Sequence, residues 1–302
     1  MVPANLIDLA QDLAEASADV IRPYFRSKLS VDQKADASPV TQADRAAELA
    51  MRKIILERCP HHDVLGEEFG LQRGETPDRK EDQGYRWVLD PIDGTKAFIT
   101  GKPSFGTLIA LLHKGVPVLG IINQPITRER WLGVAGQPST LNGQQISCRP
   151  CEDLSKAYLF ATSPHMFPAG PVEDGFSRVR DQVFMPLYGC DCYAYGLLSL
   201  GLADLVIEAT MQPYDYLALV PVIEGAGGVI SDWQGKPLHW PISSVGEYSS
   251  MQMPGECIAA GDEVIHQKAL ALLKHECKAS PLDTDPFCPR VLPRSSQAAD
   301  LL

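Results

Sequence analysis

Three acidic stretches hold the residues of this chain best suited to chemistry. In WVLDPIDGTKAF, residues 87–98, an apolar run ends abruptly in Asp90, Asp93, Gly94 and Thr95. Alone, this could be a turn, since Asp-Gly is a frequent turn pair and Asp or Thr often caps a helix. In DVLGEEFG, residues 63–70, a second apolar run ends in Glu67 and Glu68. In PYDYLALVPVIEGAGG, residues 213–228, Asp215 opens a helical pattern. If the ends of these segments converge, Glu67, Asp90, Asp93 and Asp215 crowd negative charges that only cations can offset. Oxygen-only ligands select Mg²⁺.

Paired Mg²⁺ ions about 3.5 to 4 Å apart lower the pKa of a bound water, grip a transferring phosphoryl group and stabilise the leaving alkoxide. No covalent nucleophile is then required. Gly94 and Thr95 stand where a helix begins, and free N–H groups there favour a phosphate. Thr41 and Asp44, in SPVTQAD, open another helix and could orient the attacking water, although Thr41 suits a plain N-cap equally well.

The elements that must position these residues are legible in outline. Apolar residues at helical spacing from Leu6 to Phe25 and from Thr41 to Cys59 predict two amphipathic helices, separated by the polar segment LSVDQKADASPV with Lys34 and Asp36. The charged stretch 71–84 reads as a solvated excursion between strands. FGTLIALLHKG, PVLGIINQP and RERWLGVAG, with a turn at Leu141-Asn142-Gly143, predict an antiparallel meander. AYLFATSP, QVFMPLYG and ADLVIEAT read as strands, and YAYGLLSLG and YDYLALVPVIEGAG as helices, an alternation that favours a mixed or parallel sheet covered by helices. A boundary is expected near residue 150, giving an N-terminal α+β lobe (1–150), a C-terminal α/β lobe (151–277) that completes the site, and a tail (278–302) that is expected to be disordered because it has no periodic apolar face.

Composition narrows the function classes. The 302 residues carry a formal net charge of -11, which argues against a nucleic-acid binder, so an anionic substrate needs local help from metal ions. No apolar run reaches the roughly 20 residues of a bilayer span, and the N-terminus lacks a secretory pattern. A soluble, unsecreted protein is expected, in the cytoplasm or the plastid stroma. The eight cysteines are scattered, so a disulfide framework is unnecessary, and Cys148-Arg-Pro-Cys151 lacks the second pair or histidine cluster of a zinc site.

The motifs GEE (66–68), WVLDPIDGTKAF (87–98) and PYDYLALVPVIEGAGG (213–228), in this order and at these separations, resemble the three signatures of the inositol monophosphatase superfamily. The resemblance covers residues 1 to about 275 and implies a layered αβαβα sandwich, commonly a homodimer. It further implies Glu67, Asp90, the Ile92 carbonyl, Asp93 and Asp215 as ligands of two or three Mg²⁺ ions. Gly94 and Thr95 would hold the phosphate and its nucleophilic water, with Asp44 pairing with Thr95 to activate that water. The loop bearing Lys34 resembles the family's mobile active-site loop.

Within the superfamily, DGTKAFITGKPSFGTLIALLHKG, NQPITRERWLG and GCDCYAYG resemble the histidinol-phosphatase branch, which implies hydrolysis of histidinol phosphate in histidine biosynthesis. Histidinol carries an ammonium and an ionisable imidazole, so its pocket benefits from carboxylates besides the metal ligands. Asp191 and Glu208 are the candidates, alongside Asp93 and Asp215, with a turn acid as the plain reading of Asp191. The alternatives are a phosphatase acting on inositol phosphate, a sugar phosphate or a 3′-phosphonucleotide, and a metal-binding module without turnover.

Overall fold

The computed structural model describes residues 1–28, 31–33, 39–75, 84–240 and 255–274. Lys34, Asp36 and the tail from 275 onwards lie outside them. Helix α1 (Ala4–Ile21) is followed by a ribbon of β1 (Val31–Gln33) and β2 (Pro39–Thr41) and by α2 (Gln42–Arg58). Then come β3 (Asp63–Gly66), β4 (Gly70–Gln72), β5 (Tyr85–Asp93), the short α3 (Thr95–Ile99), β6 (Gly106–His113), β7 (Val116–Gln124), β8 (Glu129–Val134), β9 (Thr140–Leu141) and β10 (Gln144–Gln145). The second half runs β11 (Tyr158–Ala161), α4 (Pro171–Arg180), β12 (Met185–Tyr188), α5 (Tyr193–Ser199), β13 (Leu205–Glu208), α6 (Pro213–Tyr216), α7 (Leu219–Gly225), β14 (Val229–Ser231), β15 (Cys257–Ala260) and α8 (Glu263–Leu273).

These elements stack as an αβαβα sandwich. The apolar stripes of α1 and α2, with Leu9, Leu13, Met51 and Ile55, bury against Trp87, Ile109, Leu111 and Ile121 on one face of an eight-stranded sheet ordered β10-β9-β8-β7-β6-β5-β3-β4. The other face of that sheet packs on α5, α6 and α7 through Leu108, Ile122, Trp131, Tyr195 and Val222. These middle helices also cover the five-stranded sheet β12-β11-β13-β15-β14, whose far face is closed by α4 and α8 through Phe176, Val179, Ile265 and Leu270.

The first sheet contains the expected meander, β6 to β8, extended by β5, all antiparallel. It also contains one parallel pair, β3 beside β5, with Gly66 opposite Leu89. Parallel pairing sets the C-terminal ends of two apolar runs side by side, so Glu67 and Asp90 emerge at the same edge. The five-stranded sheet is mixed: β11 is parallel to β12 and β13, while β15 is antiparallel to β13 and β14.

Glycines settle how closely the middle layer approaches. Gly120 on β7 and Gly133 on β8 face each other across the ladder. A Cβ on Gly120 would stand 1.9 Å from the Ala218 carbonyl oxygen, and one on Gly133 would stand 2.2 Å from the Pro221 carbonyl carbon. The α6–α7 backbone therefore rests on a floor without side chains, which draws Asp215 towards β5. Gly120→Ala should overpack this contact and cost about 1 to 3 kcal/mol, lowering the melting temperature by several degrees in a thermal melt followed by circular dichroism. An unchanged melting temperature would show that the layers can spread without cost.

Candidate active site

Asp90 and Asp93 end β5 three residues apart, a spacing that would send them to opposite faces of a regular strand. The ladder with β6 slips its register between them, and this irregularity re-aims the strand. Pro91 has no N–H to lose from the ladder, and its carbonyl accepts from Thr107 Oγ1 at 2.8 Å. The Ile92 N–H donates to Asp90 Oδ1 at 3.0 Å, which fixes the turn. Asp215 occupies the third position of α6, where its Oδ2 accepts from the Gln212 N–H at 2.7 Å. Asp90, Asp93 and Asp215 each bring a carboxylate oxygen to within 4.8 Å of the others.

Burial and mutual repulsion dominate these groups. Burial pushes the Asp90 carboxyl well above the usual range, reinforced by the charges of Glu67, Asp93 and Asp215. Asp93 is raised in the same way by burial and then by Asp215 and Asp191, against a hydrogen bond with the Cys192 side chain, and its Oδ2 also accepts from the Cys192 N–H at 2.7 Å. Asp215 is raised to about 7, mainly by burial. The strongest charges acting on Asp90 are all acidic, and the trio offers carboxylate oxygens. Such a set fits a hard divalent cation such as Mg²⁺, which would relieve both the repulsion and the proton retention.

Thr41 caps α2. Its hydroxyl accepts from the Ala43 N–H at 3.1 Å and donates to Asp44 Oδ2 at 2.5 Å, while its own N–H donates to the same oxygen at 2.9 Å. Thr41 is thus an N-cap, the plain reading of this residue, and its hydroxyl and N–H hold Asp44 Oδ2. Burial raises the Asp44 carboxyl, and the charge of Glu67 adds to the rise. Asp44 Oδ1 is buried without a hydrogen-bond partner in the structure. Thr95 Oγ1 donates to the Ile92 carbonyl at 3.1 Å instead of to Asp44. The first turn of α3, at Gly94 and Thr95, leaves its N–H groups without helical acceptors.

Asp191 packs against this turn. Gly94 has φ +85°, and a Cβ there would lie 2.7 Å from Asp191 Cγ, so only glycine lets the DGT turn and Asp191 meet. Asp191 itself adopts a left-handed φ of 48° and accepts from Ser104 Oγ at 3.0 Å. Burial raises its carboxyl, while Ser104, Lys102 and Lys96 pull it down. Glu208, at the end of β13, accepts from the Thr162 N–H and the Tyr195 hydroxyl, both at 3.0 Å. Its carboxyl is raised by burial and by the charge of Asp191. The sequence did not single out Ser104 or Tyr195, because nothing in their local pattern marks a residue that holds an acid from another element. Cys148 and Cys151 are free thiols, with Cys148 pushed up to about 11 by burial. Among the described residues the cluster suited to a metal is the aspartate trio.

Raised carboxyls make stability depend on pH in a definite direction. Below about pH 3 the folded and unfolded chains both keep most of these protons; as pH rises from there towards about 7 the unfolded chain releases protons that the folded one retains, so the metal-free protein loses stability across that window. In EDTA the melting temperature should fall from about pH 5 to about pH 8, and Mg²⁺ should raise it more at the higher pH, where it no longer competes with protons. A Mg²⁺ effect equal at both pH values would count against a cation held by these groups.

The chain matches the inositol monophosphatase family over residues 3–276. It is 56% identical over 262 residues to the bifunctional phosphatase IMPL2, chloroplastic, of Arabidopsis thaliana, covering 87% of this chain and 73% of that one. It is 32% identical over 231 residues to a histidinol-phosphatase of Chlorobaculum parvum, covering 76% and 86%. A solved inositol monophosphatase from Zymomonas mobilis superposes with a TM-score of 0.76 at 47% identity, covering 90% of this chain and 98% of that one. With an acidic cluster at the strand ends of an αβαβα sandwich and a match over nearly its whole described length, the chain belongs to the inositol monophosphatase family, as a phosphatase of that superfamily.

Proposed function

We propose that this chain is a Mg²⁺-dependent phosphomonoesterase that hydrolyses histidinol phosphate to histidinol and phosphate. The observation that carries this reading is the placement of Asp191: a carboxylate packed on the Gly94 turn, oriented by Ser104 and within electrostatic reach of both Asp93 and Glu208. A metal site needs no such acid on its far side, whereas an alcohol carrying an ammonium does. The histidinol-phosphatases of Chlorobaculum parvum and, at 34% identity, Mycobacterium tuberculosis support the same substrate. A second reading, hydrolysis of an inositol or other sugar phosphate, draws on the 47% identity to the Zymomonas mobilis inositol monophosphatase.

In this reading Glu67, Asp90, the Ile92 carbonyl, Asp93 and Asp215 hold two or three Mg²⁺ ions. When bound, the ions supply Lewis-acid polarisation of the phosphoryl oxygens and a water of lowered pKa. The N–H groups of Gly94 and Thr95 bind the phosphate at the start of α3. Asp44, through its unpartnered Oδ1, accepts a proton from the attacking water, which the Thr95 hydroxyl helps to orient. Asp191 and Glu208 receive the ammonium and imidazole of the alcohol, and Tyr195 fixes the free rotation of Glu208. The active form is a homodimer, as is common in the family, and the chloroplastic relative supports the plastid over the cytoplasm. Among the described residues no helix is long and apolar enough to cross a membrane.

Phosphate release from histidinol phosphate, inositol 1-phosphate and a 3′-phosphonucleotide, measured side by side, tests the substrate; preference for either of the latter two would overturn it. Asp93→Asn should lower kcat more than about tenfold, a loss above ~1.4 kcal/mol, with an unchanged circular dichroism spectrum. Asp191→Ala should cost roughly 2 to 5 kcal/mol of transition-state binding on histidinol phosphate and less than ~0.7 kcal/mol on glycerol 2-phosphate, which lacks an amine. Equal losses on the two esters would assign Asp191 to structure.

A further inference from the structure

The geometry points to Glu48 and Arg52 as positioning residues for Glu67 that tune the affinity of the acidic site for its cation, an inference resting on the reading of Glu67 as a metal ligand. Both side chains are buried, Glu48 at 0% and Arg52 at 5% exposure, with Arg52 Nε donating to Glu48 Oε1 at 2.7 Å. Apolar residues of similar volume could fill such a place with little loss of stability, so a buried ion pair by itself does not explain its presence. What the pair holds is the turn that carries Glu67.

Glu67 is the first of three residues that turn β3 into β4. Its own N–H donates to the Leu89 carbonyl at 3.1 Å, immediately before Asp90. The next two N–H groups, of Glu68 and Phe69, donate to Glu48 Oε2 at 2.8 Å and Oε1 at 3.3 Å. Arg52 continues the clamp, donating to the Gly70 carbonyl and, at 3.3 Å, to Gln72 Oε1. Glu67 is thus pinned by β5 on one side and by α2 on the other. Gly66 completes the arrangement, because a Cβ there would stand 1.9 Å from Glu48 Oε1.

Asp44, Glu48 and Arg52 follow one another at four-residue spacing, which aligns them along one face of α2. One rigid helix therefore sets the position of Asp44 directly and that of Glu67 through the clamp. Loosening the clamp leaves every ligand present but lets Glu67 wander, which weakens cation binding before it affects the chemistry. Partners that orient a metal ligand commonly change affinity by about 10- to 100-fold when removed.

The test is a Mg²⁺ titration of the full chain and of Glu48→Gln, Gly66→Ala and Glu67→Gln, read as the Mg²⁺-induced rise in melting temperature without substrate and as the half-saturating Mg²⁺ for phosphate release. Glu48→Gln removes the charge that the N–H groups and Arg52 share, and Gly66→Ala places a methyl where the carboxylate sits. Each should raise half-saturating Mg²⁺ by about tenfold or more by both readouts, while kcat at saturating Mg²⁺ falls less than about threefold. If either folded variant keeps half-saturation within about twofold of the parent, even with a lower melting temperature in EDTA, the pair is structural and the proposal is wrong. Loss of folding in both variants would likewise assign the clamp to the fold. Glu67→Gln separates the two levels of inference: a parental response to Mg²⁺ there would remove the ligand reading of Glu67, whereas impairment there with an unaltered Glu48→Gln would remove only the clamp.

Discussion

Repulsion among buried carboxylates is the constraint around which this fold is arranged. Asp90 and Asp215 are each acted on by the other acids of the cluster, and burial removes the water that would otherwise screen them. Left unbalanced, such a cluster would hold protons or push its strands apart. It persists because each acid is fastened by an element whose packing is settled elsewhere. The parallel pairing of β3 and β5 fixes Glu67 beside Asp90, the register shift fixes Asp93, and the glycine floor under α7 fixes Asp215.

The layers divide the work. The outer helices α1 and α2 bury one face of the eight-stranded sheet and bring Asp44 to the cluster. The middle helices bury its other face and bring Asp215. The five-stranded sheet adds Glu208 at the end of β13, and the turn after β12 adds Asp191. Acids from both halves of the chain therefore meet where the two sheets and the middle helices share one core.

The effects that hold Asp191 are smaller than those acting within the aspartate trio. Asp191 occupies a left-handed conformation that costs a non-glycine residue on the order of 1 kcal/mol. The surrounding contacts with Ser104 and Gly94 hold it there. Cys190 and Cys192 on either side are buried or half-buried thiols, with Cys190 pushed up to about 12 by burial and by the charge of Asp191, so both remain protonated neighbours.

Much of the architecture is legible in residue order, because periodicity and turn chemistry act locally. The two amphipathic helices, the meander from β6 to β8, and the strands that end in Ala161, Tyr188 and Glu208 follow from alternation, Gly and Pro punctuation and apolar spacing. Helices α4 and α8 did not stand out, since their apolar faces are short and gain meaning only against the five-stranded sheet. The acids of the site were legible as types: an apolar run ending in carboxylates is locally unfavourable and calls for a partner. What sequence spacing cannot express is direction. The parallel pairing that sets Glu67 beside Asp90, the slip that turns Asp90 and Asp93 to one side, the contact of Asp191 with Gly94 and the burial of Glu48 with Arg52 all join residues far apart in the chain or reverse a local periodicity. Only packing decides them, because the free energy that holds each in place comes from surfaces and hydrogen bonds contributed by other elements.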